Sequence, residues 1–166
     1  MPEKLTTAEI RKIYRIVKAF SEGLIVNPSQ DWELDYHDER IADSEGLGKI
    51  LKKLESLLPR SELERIDKSL LRRKYDTFNN EIDEGVYGKI EKGFSERRTV
   101  EIGYFDMSSA EVIRRRIDIY HKSRKYVIAY CHLRNAIRKF RTSRIASARL
   151  TAKTYAIPEG FDKGSY

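Results

Sequence analysis

The 166-residue chain has one cysteine, one tryptophan, four prolines and no apolar run near the roughly 20 residues that a membrane span requires. A lone thiol excludes a disulfide framework. The charged first twenty residues do not read as a secretory signal, so the expected setting is reduced and cytoplasmic, with no membrane partner. Also missing are a Gly-rich phosphate loop, a His-Glu-x-x-His pair, paired cysteines and a nucleophile elbow. Metal-dependent hydrolysis and nucleotide turnover therefore lack a motif, and no catalytic residue, metal ligand or cofactor is expected.

What the chain does have is positive charge, unevenly placed. Its 33 Lys and Arg outnumber 26 Asp and Glu, a formal net of +7. Residues 97–166 hold 11 Arg and 5 Lys against 6 acids, a balance of +10, whereas residues 1–96 hold 17 basic and 20 acidic residues, a balance of −3. The basic surface thus belongs to the C-terminal part. It favours an acidic partner, nucleic acid first.

The hydrophobic period changes near the same point. Thr6-Thr7-Ala8-Glu9 reads as a capping box, and Ile10, Ile13, Tyr14, Val17 and Phe20 follow at helical spacing until Gly23. A loop carrying Pro28 and Trp32 leads to a second stripe of Leu47, Ile50, Leu51, Leu54, Leu57 and Leu58, stopped by Pro59. Ser61 to Glu64 reads as another capping box ahead of Leu63, Ile66, Leu70 and Leu71, and Val86, Tyr87, Ile90 and Phe94 suggest a fourth helix. From Arg98 the period becomes two. Val100, Ile102 and Tyr104 alternate with Thr99, Glu101 and Gly103, and Ile113, Arg115, Ile117 and Ile119 alternate with Arg114, Arg116, Asp118 and Tyr120. After a polar stretch holding His121, the segment Tyr126 to Leu133 reads as a central strand. Segments around Ile137 to Arg141 and Ile145 to Leu150 bring the count to five, a spacing that suits a small barrel. The fold class is α+β: a helical connector and dimerisation region over 1–95, a barrel over 96–154 and an extended tail over 155–166.

These residues carry a resemblance. Lys125-Tyr126-Val127, then Ile128 to His132, then Arg138-Lys139-Phe140-Arg141-Thr142-Ser143-Arg144-Ile145 are similar to the signature of the WYL domain, an Sm-like or SH3-like β-barrel found in bacterial and archaeal transcription regulators. The second block follows the family's Arg-x-Phe-x-x-x-Arg-Ile pattern. Lys125 and Val127 stand where the family has Trp and Leu, and Ser143 stands where an acid is usual. The stretch Leu5 to Pro59 resembles the helical connector that precedes the domain. Such regulators generally carry a winged helix-turn-helix before it. Here the first two helical stripes are separated by residues 24–46, far more than the 3 to 4 residue turn of that motif, and no recognition helix is expected.

The resemblance implies a ligand sensor, with single-stranded nucleic acid or a nucleotide as the ligand and transcription or defence as the output. The residues support an anionic ligand by themselves. Guanidinium groups fork onto phosphate oxygens, so Arg134, Arg138, Arg141 and Arg144 make a candidate phosphate site. Tyr104, Tyr126, Tyr130 and His132 can stack bases. Each also has a plain structural reading: a solvated arginine face, tyrosines packed in the core with wet hydroxyls, a hydrogen-bonded histidine. Phe140 and Cys131 are assigned to the core. Arg138 shares the face of Phe140 under strict alternation, and the Arg114-Arg115-Arg116 run straddles both faces, where edge protection competes with phosphate binding. The candidate binding set is Tyr104, Tyr126, His132, Arg134, Arg138, Arg141 and Arg144. Alternatives are a metal-independent ribonuclease using His132, Arg138 and Arg141, and a protein-interaction module. A homodimer formed by the helical half, and a separate DNA-binding or effector protein as partner, complete the expectations.

Overall fold

The computed structural model describes residues 4–24, 44–76 and 81–166, so the loop with Pro28 and Trp32 lies outside the described residues. The chain divides into two compact units, Met1–Lys74 and Tyr75–Tyr166.

Unit one holds three helices, α1 (Thr7–Ser21), α2 (Ser44–Ser56) and α3 (Arg60–Lys74). The capping box at Thr6 and Glu9 forms in both directions, satisfying orphan amide donors at the start of α1. The box read at Ser61 does not set the start of α3. That helix begins directly at Arg60, with the Pro59 carbonyl accepting from Glu62 and Leu63, and Glu64 instead accepts from Arg60 Nε at 3.0 Å. Ile10, Tyr14, Ala19, Leu54, Leu58, Ile66 and Leu70 form the core. Tyr14 Oη donates to Asp67 Oδ1 at 3.1 Å, and burial, followed by that carboxylate, raises the phenol's pKa.

Unit two opens with α4 (Glu84–Ser95), whose N-cap Asp83 accepts from the Val86 amide at 2.9 Å. Five strands follow: β1 (Arg98–Asp106), β2 (Glu111–Lys122), β3 (Tyr126–Cys131), β4 (Ala136–Arg141) and β5 (Ile145–Thr154). All neighbours are antiparallel, in the order β4-β3-β2-β1-β5. The inner face carries Val100, Ile102, Ile117, Ile119, Val127, Ala129, Cys131, Phe140, Ile145 and Ala148, and Val86 and Ile90 of α4 close over it. Gly93 lets the helix come this near, because a Cβ there would meet Val100 Cγ2 at 2.2 Å.

The α+β class and the five strands are as expected, but the sheet is open. Among the described residues β4 and β5 remain edges and do not pair. The sheet curls until Tyr104 of β1 stacks edge-on against Phe140 of β4, with centroids 5.0 Å apart. The Arg141 amide, which a neighbouring strand would satisfy in a closed barrel, donates to Tyr104 Oη at 3.2 Å.

Other expectations differ in detail. α4 packs on the sheet, and the division between units falls before it, at 74/75 and not at the 95/96 change of period. His121 is a strand residue, paired with Ile128 beyond a bulge after Ile119, and not a loop residue. The tail after β5 folds back against the sheet. The Tyr155 amide donates to the Arg97 carbonyl, Phe161 packs edge-on to Tyr120 at 5.2 Å, and Lys139 Nζ donates to the Tyr166 carbonyl at 2.9 Å. Its apolar content, Tyr155, Ile157, Phe161 and Tyr166, explains why it does not stay extended in water.

Candidate ligand cleft and the residues around it

Antiparallel pairing places directly opposed side chains on one face, so register sorts the candidate residues. Tyr126 opposes Arg141 on the outer face, and this pair lies where β3 starts and β4 ends. Beside it, the turn before β3 and the single helical turn Thr142–Arg144 frame a cleft of about 380 Å³ lined by Ile82, Arg124, Lys125, Arg141 and Ser143. Three cationic side chains and one hydroxyl therefore meet at one opening.

Each wall of the cleft has a local cause. Arg124 is held by Glu84 on α4 through both terminal guanidinium nitrogens, and this pairing draws the Glu84 carboxyl below its ordinary pKa. Arg124 also lies over the Tyr87 ring, 5.1 Å from its centroid. Ser123 fixes the turn, since its hydroxyl and amide both engage Tyr126. The Thr142 amide donates to the Lys125 carbonyl at 3.1 Å, tying the two turns together. Arg141 Nε donates to Ser143 Oγ at 3.3 Å. Lys125 and Lys139 ammonium groups sit 5.6 and 4.9 Å from the centre of the Tyr126 ring.

The seven residues read from sequence are not brought to one place. Arg141 and Tyr126 are neighbours, and Tyr104 joins them through its hydroxyl. Arg144 is near in sequence, but its Nε donates to the Tyr75 carbonyl at 3.3 Å. His132 and Arg134 occupy the β3–β4 turn, at the opposite end of β3 from Arg141 and roughly 17 Å away by strand rise. His132 Nε2 lies 2.9 Å from Asp118 Oδ2, and Thr99 Oγ1 donates to Asp118 Oδ1 at 2.6 Å, so the half-buried histidine joins a polar triad with two buried partners. Arg138 opposes Ala129 on the inner side yet is exposed, because β4 is an edge and its side chain reaches past the core.

Sequence reasoning passed over Arg124, Lys125 and Ser143 as site residues. Lys125 belongs to the signature segment and Ser143 departs from it, so a signal is present in the sequence. A polar turn between strands carries no local pattern that marks it as a site. Of the Arg114-Arg115-Arg116 run that straddles both faces, Arg115 is the buried member, with Nη2 3.6 Å from Asp106 and Nη1 4.0 Å from Cys131 Sγ.

Among the described residues no three His, Cys, Asp or Glu side chains gather as metal ligands, and no helix is long and apolar enough to cross a membrane. The class these elements define is a small antiparallel-sheet domain entered by a helix, with a cationic opening at one end. Residues 85–150 match the WYL domain model, and the chain carries a WYL domain. Among solved structures the chain is similar to proteasome accessory factor B/C (PafBC) of Arthrobacter aurescens, at 16% identity and a TM-score of 0.40. That alignment covers 93% of this chain and 21% of the other, so the chain spans about a fifth of that protein's length. No curated protein sequence matches it.

Proposed function

We propose that this is a regulatory WYL-domain protein whose sheet unit binds an anionic ligand, single-stranded nucleic acid or a nucleotide, and thereby modulates transcription or a defence system. The convergence of Arg124, Lys125, Arg141 and Ser143 on one cleft carries the reading. Arginine supplies forked donors and lysine a compact charge, and both suit phosphate oxygens. Tyr126 stands beside the cleft with two ammonium groups over its ring, and a base that stacks there takes the place of one of them. Binding occurs without chemistry: the ribonuclease alternative needs His132 beside Arg141, and the two stand at opposite ends of β3, with His132 engaged by Asp118.

Fluorescence titration of a labelled mononucleotide and a labelled short single strand, DNA and RNA in parallel, tests this. Arg141→Ala should weaken both and lower the slope of log affinity against log salt for the strand by about 0.7. An unchanged slope and affinity would overturn the cleft. A probe cut during the titration would overturn binding without chemistry.

In unit one Ile16 and Phe20 on α1 and Ile50 and Leu57 nearby are exposed apolar side chains. They support self-association through the helical unit, and through it the coupling of ligand to a separate DNA-binding or effector chain. Sedimentation that finds a monomer at every concentration would overturn the homodimer.

A further inference from the structure

The arginine run of β2 is divided by the sheet. Arg115 turns inward, while Arg114 and Arg116 project from the outer face. Register sets them in a lattice with β1 and β5: Arg114, Gly103 and Ser147 form one row, and Arg116, Glu101 and Arg149 form the next. Gly103 has no side chain, and a Cβ there would meet Ser147 Oγ at 2.6 Å, so the first row is a depression of about 240 Å³ bordered by Arg114 and Arg149. The second row continues into a shallow hollow of about 310 Å³ that adds Thr151 and Lys153.

One carboxylate serves this surface. Arg149 Nη2 is 3.1 Å and Arg116 Nε 3.8 Å from Glu101, and the hydrogen bond from Arg149 draws the carboxyl below its usual pKa. Among the described residues, Arg114 and Lys153 have no carboxylate within ion-pair distance. Four cations against one acid leave three charges unmatched in the lattice.

Edge protection accounts for only part of this. β2 pairs with β3 from Ile117 onward, so Arg114 stands where β2 has a partner on one side only, and Arg149 and Lys153 lie on the edge strand β5, but Arg116, whose carbonyl accepts from the His132 amide, guards no edge. Like charges on neighbouring strands repel, and Arg116 and Arg149 are 69% and 73% exposed. The tail engages Tyr120 and Lys139 and leaves this part of the face open. Arg114 to Arg116 is roughly 7 Å along a strand, and β2 to β5 is roughly 10 Å across, room for two or three successive phosphates.

We infer that this outer face of β2, β1 and β5 is a second nucleic-acid surface, where Arg114, Arg116, Arg149 and Lys153 hold the phosphodiester backbone of a strand longer than the cleft can take. It shares with the cleft reading only the phosphate chemistry of the partner. Nothing in the lattice reads a base, so binding here is sequence-independent and strongly salt-dependent.

The test uses the full chain, a labelled single strand about 20 nucleotides long and a labelled mononucleotide. The triple variant Arg114→Ala, Arg116→Ala, Arg149→Ala should lower the strand's salt slope by about 2, at about 0.7 per lost contact, and leave mononucleotide affinity unchanged. The corresponding triple lysine variant, which keeps the charge, should recover most of the slope. A slope unaltered in the alanine variant, or a lysine variant as weak as the alanine one, would overturn the surface. If the wild type ignores the mononucleotide while the slope change persists, the cleft reading fails and the surface stands. If the wild type does not bind the strand even at low salt, both fail.

Discussion

The two faces of the sheet are built from the same strands, in an alternation interrupted by bulges, and they separate stability from recognition. The inner face is apolar and dry, with Val100, Ile102, Ile117, Ile119, Val127, Ala129 and Cys131 almost wholly buried beneath α4. Arg115, buried there, has Asp106 and a thiol around its head. The outer face carries charges that nothing in the fold uses up. Removing a side chain from the first face costs packing. Removing an exposed cation from the second should cost little folding energy and appear in binding.

The largest break of that symmetry is on the inner side. Ile117→Ala, at the centre of the interior strand β2, removes a fully buried side chain and leaves a cavity that α4 and the sheet cannot fill. It should destabilise unit two by about 2–5 kcal/mol in denaturant unfolding. A loss below about 1 kcal/mol would mean that α4 does not seal this face.

The second break lies where the outer face is itself buried. Asp118 accepts from the enclosed Thr99 hydroxyl and pairs with His132. Asp118→Ala should cost about 1–3 kcal/mol, because the Thr99 hydroxyl is left without an acceptor. Adding Thr99→Val to it should recover part of the loss. No recovery would show that the carboxylate acts through something other than that bond.

The helices were legible in the sequence because their signals are local. The Thr6 box, the stripe of α2 and its stop at Pro59 each lie within a turn or two of chain. Strand alternation was legible for the same reason, and it correctly sent Phe140 and Cys131 inward. What was not legible depends on distant pairing. The openness of the sheet rests on Tyr104 replacing a strand partner for Arg141, 37 positions away. Of the seven candidates only Arg141 lines the cleft and Tyr126 flanks it, because closeness in sequence does not bring cations to one place. Arg134 and Arg141 are seven residues apart but are carried to opposite ends of β3 and β4 by the hairpin between them. Arg124 could be placed only by its bond to Glu84, across the sequence of three elements.

A third, smaller effect concerns the returning tail. Tyr155 packs against the inner core while its hydroxyl donates to the Ile119 carbonyl, and burial raises its pKa above the usual 10.0. With the folded value above the unfolded one, the stability contributed by the neutral phenol is fully present below pH 10 and is lost as pH rises through the folded value. The tail should therefore loosen at alkaline pH, read as increased amide exchange at Tyr155 and Phe161. Tyr155→Phe should remove that dependence. A tail that loosens identically in both proteins would place the alkaline sensitivity elsewhere.

The smallest effect sharpens the comparison from the outer side. Glu101→Gln removes the carboxylate that Arg149 and Arg116 share while keeping a hydrogen-bond acceptor of the same shape. The inner face is untouched, so the thermal midpoint should stay where it is in the wild type. The lattice, however, gains a unit of net charge and frees two guanidinium groups. Long-strand affinity at low salt should rise modestly, with a steeper salt slope, and mononucleotide affinity should not change. A fall in strand affinity would mean that Glu101 serves to aim the two arginines at phosphate, and that on this face orientation outweighs net charge.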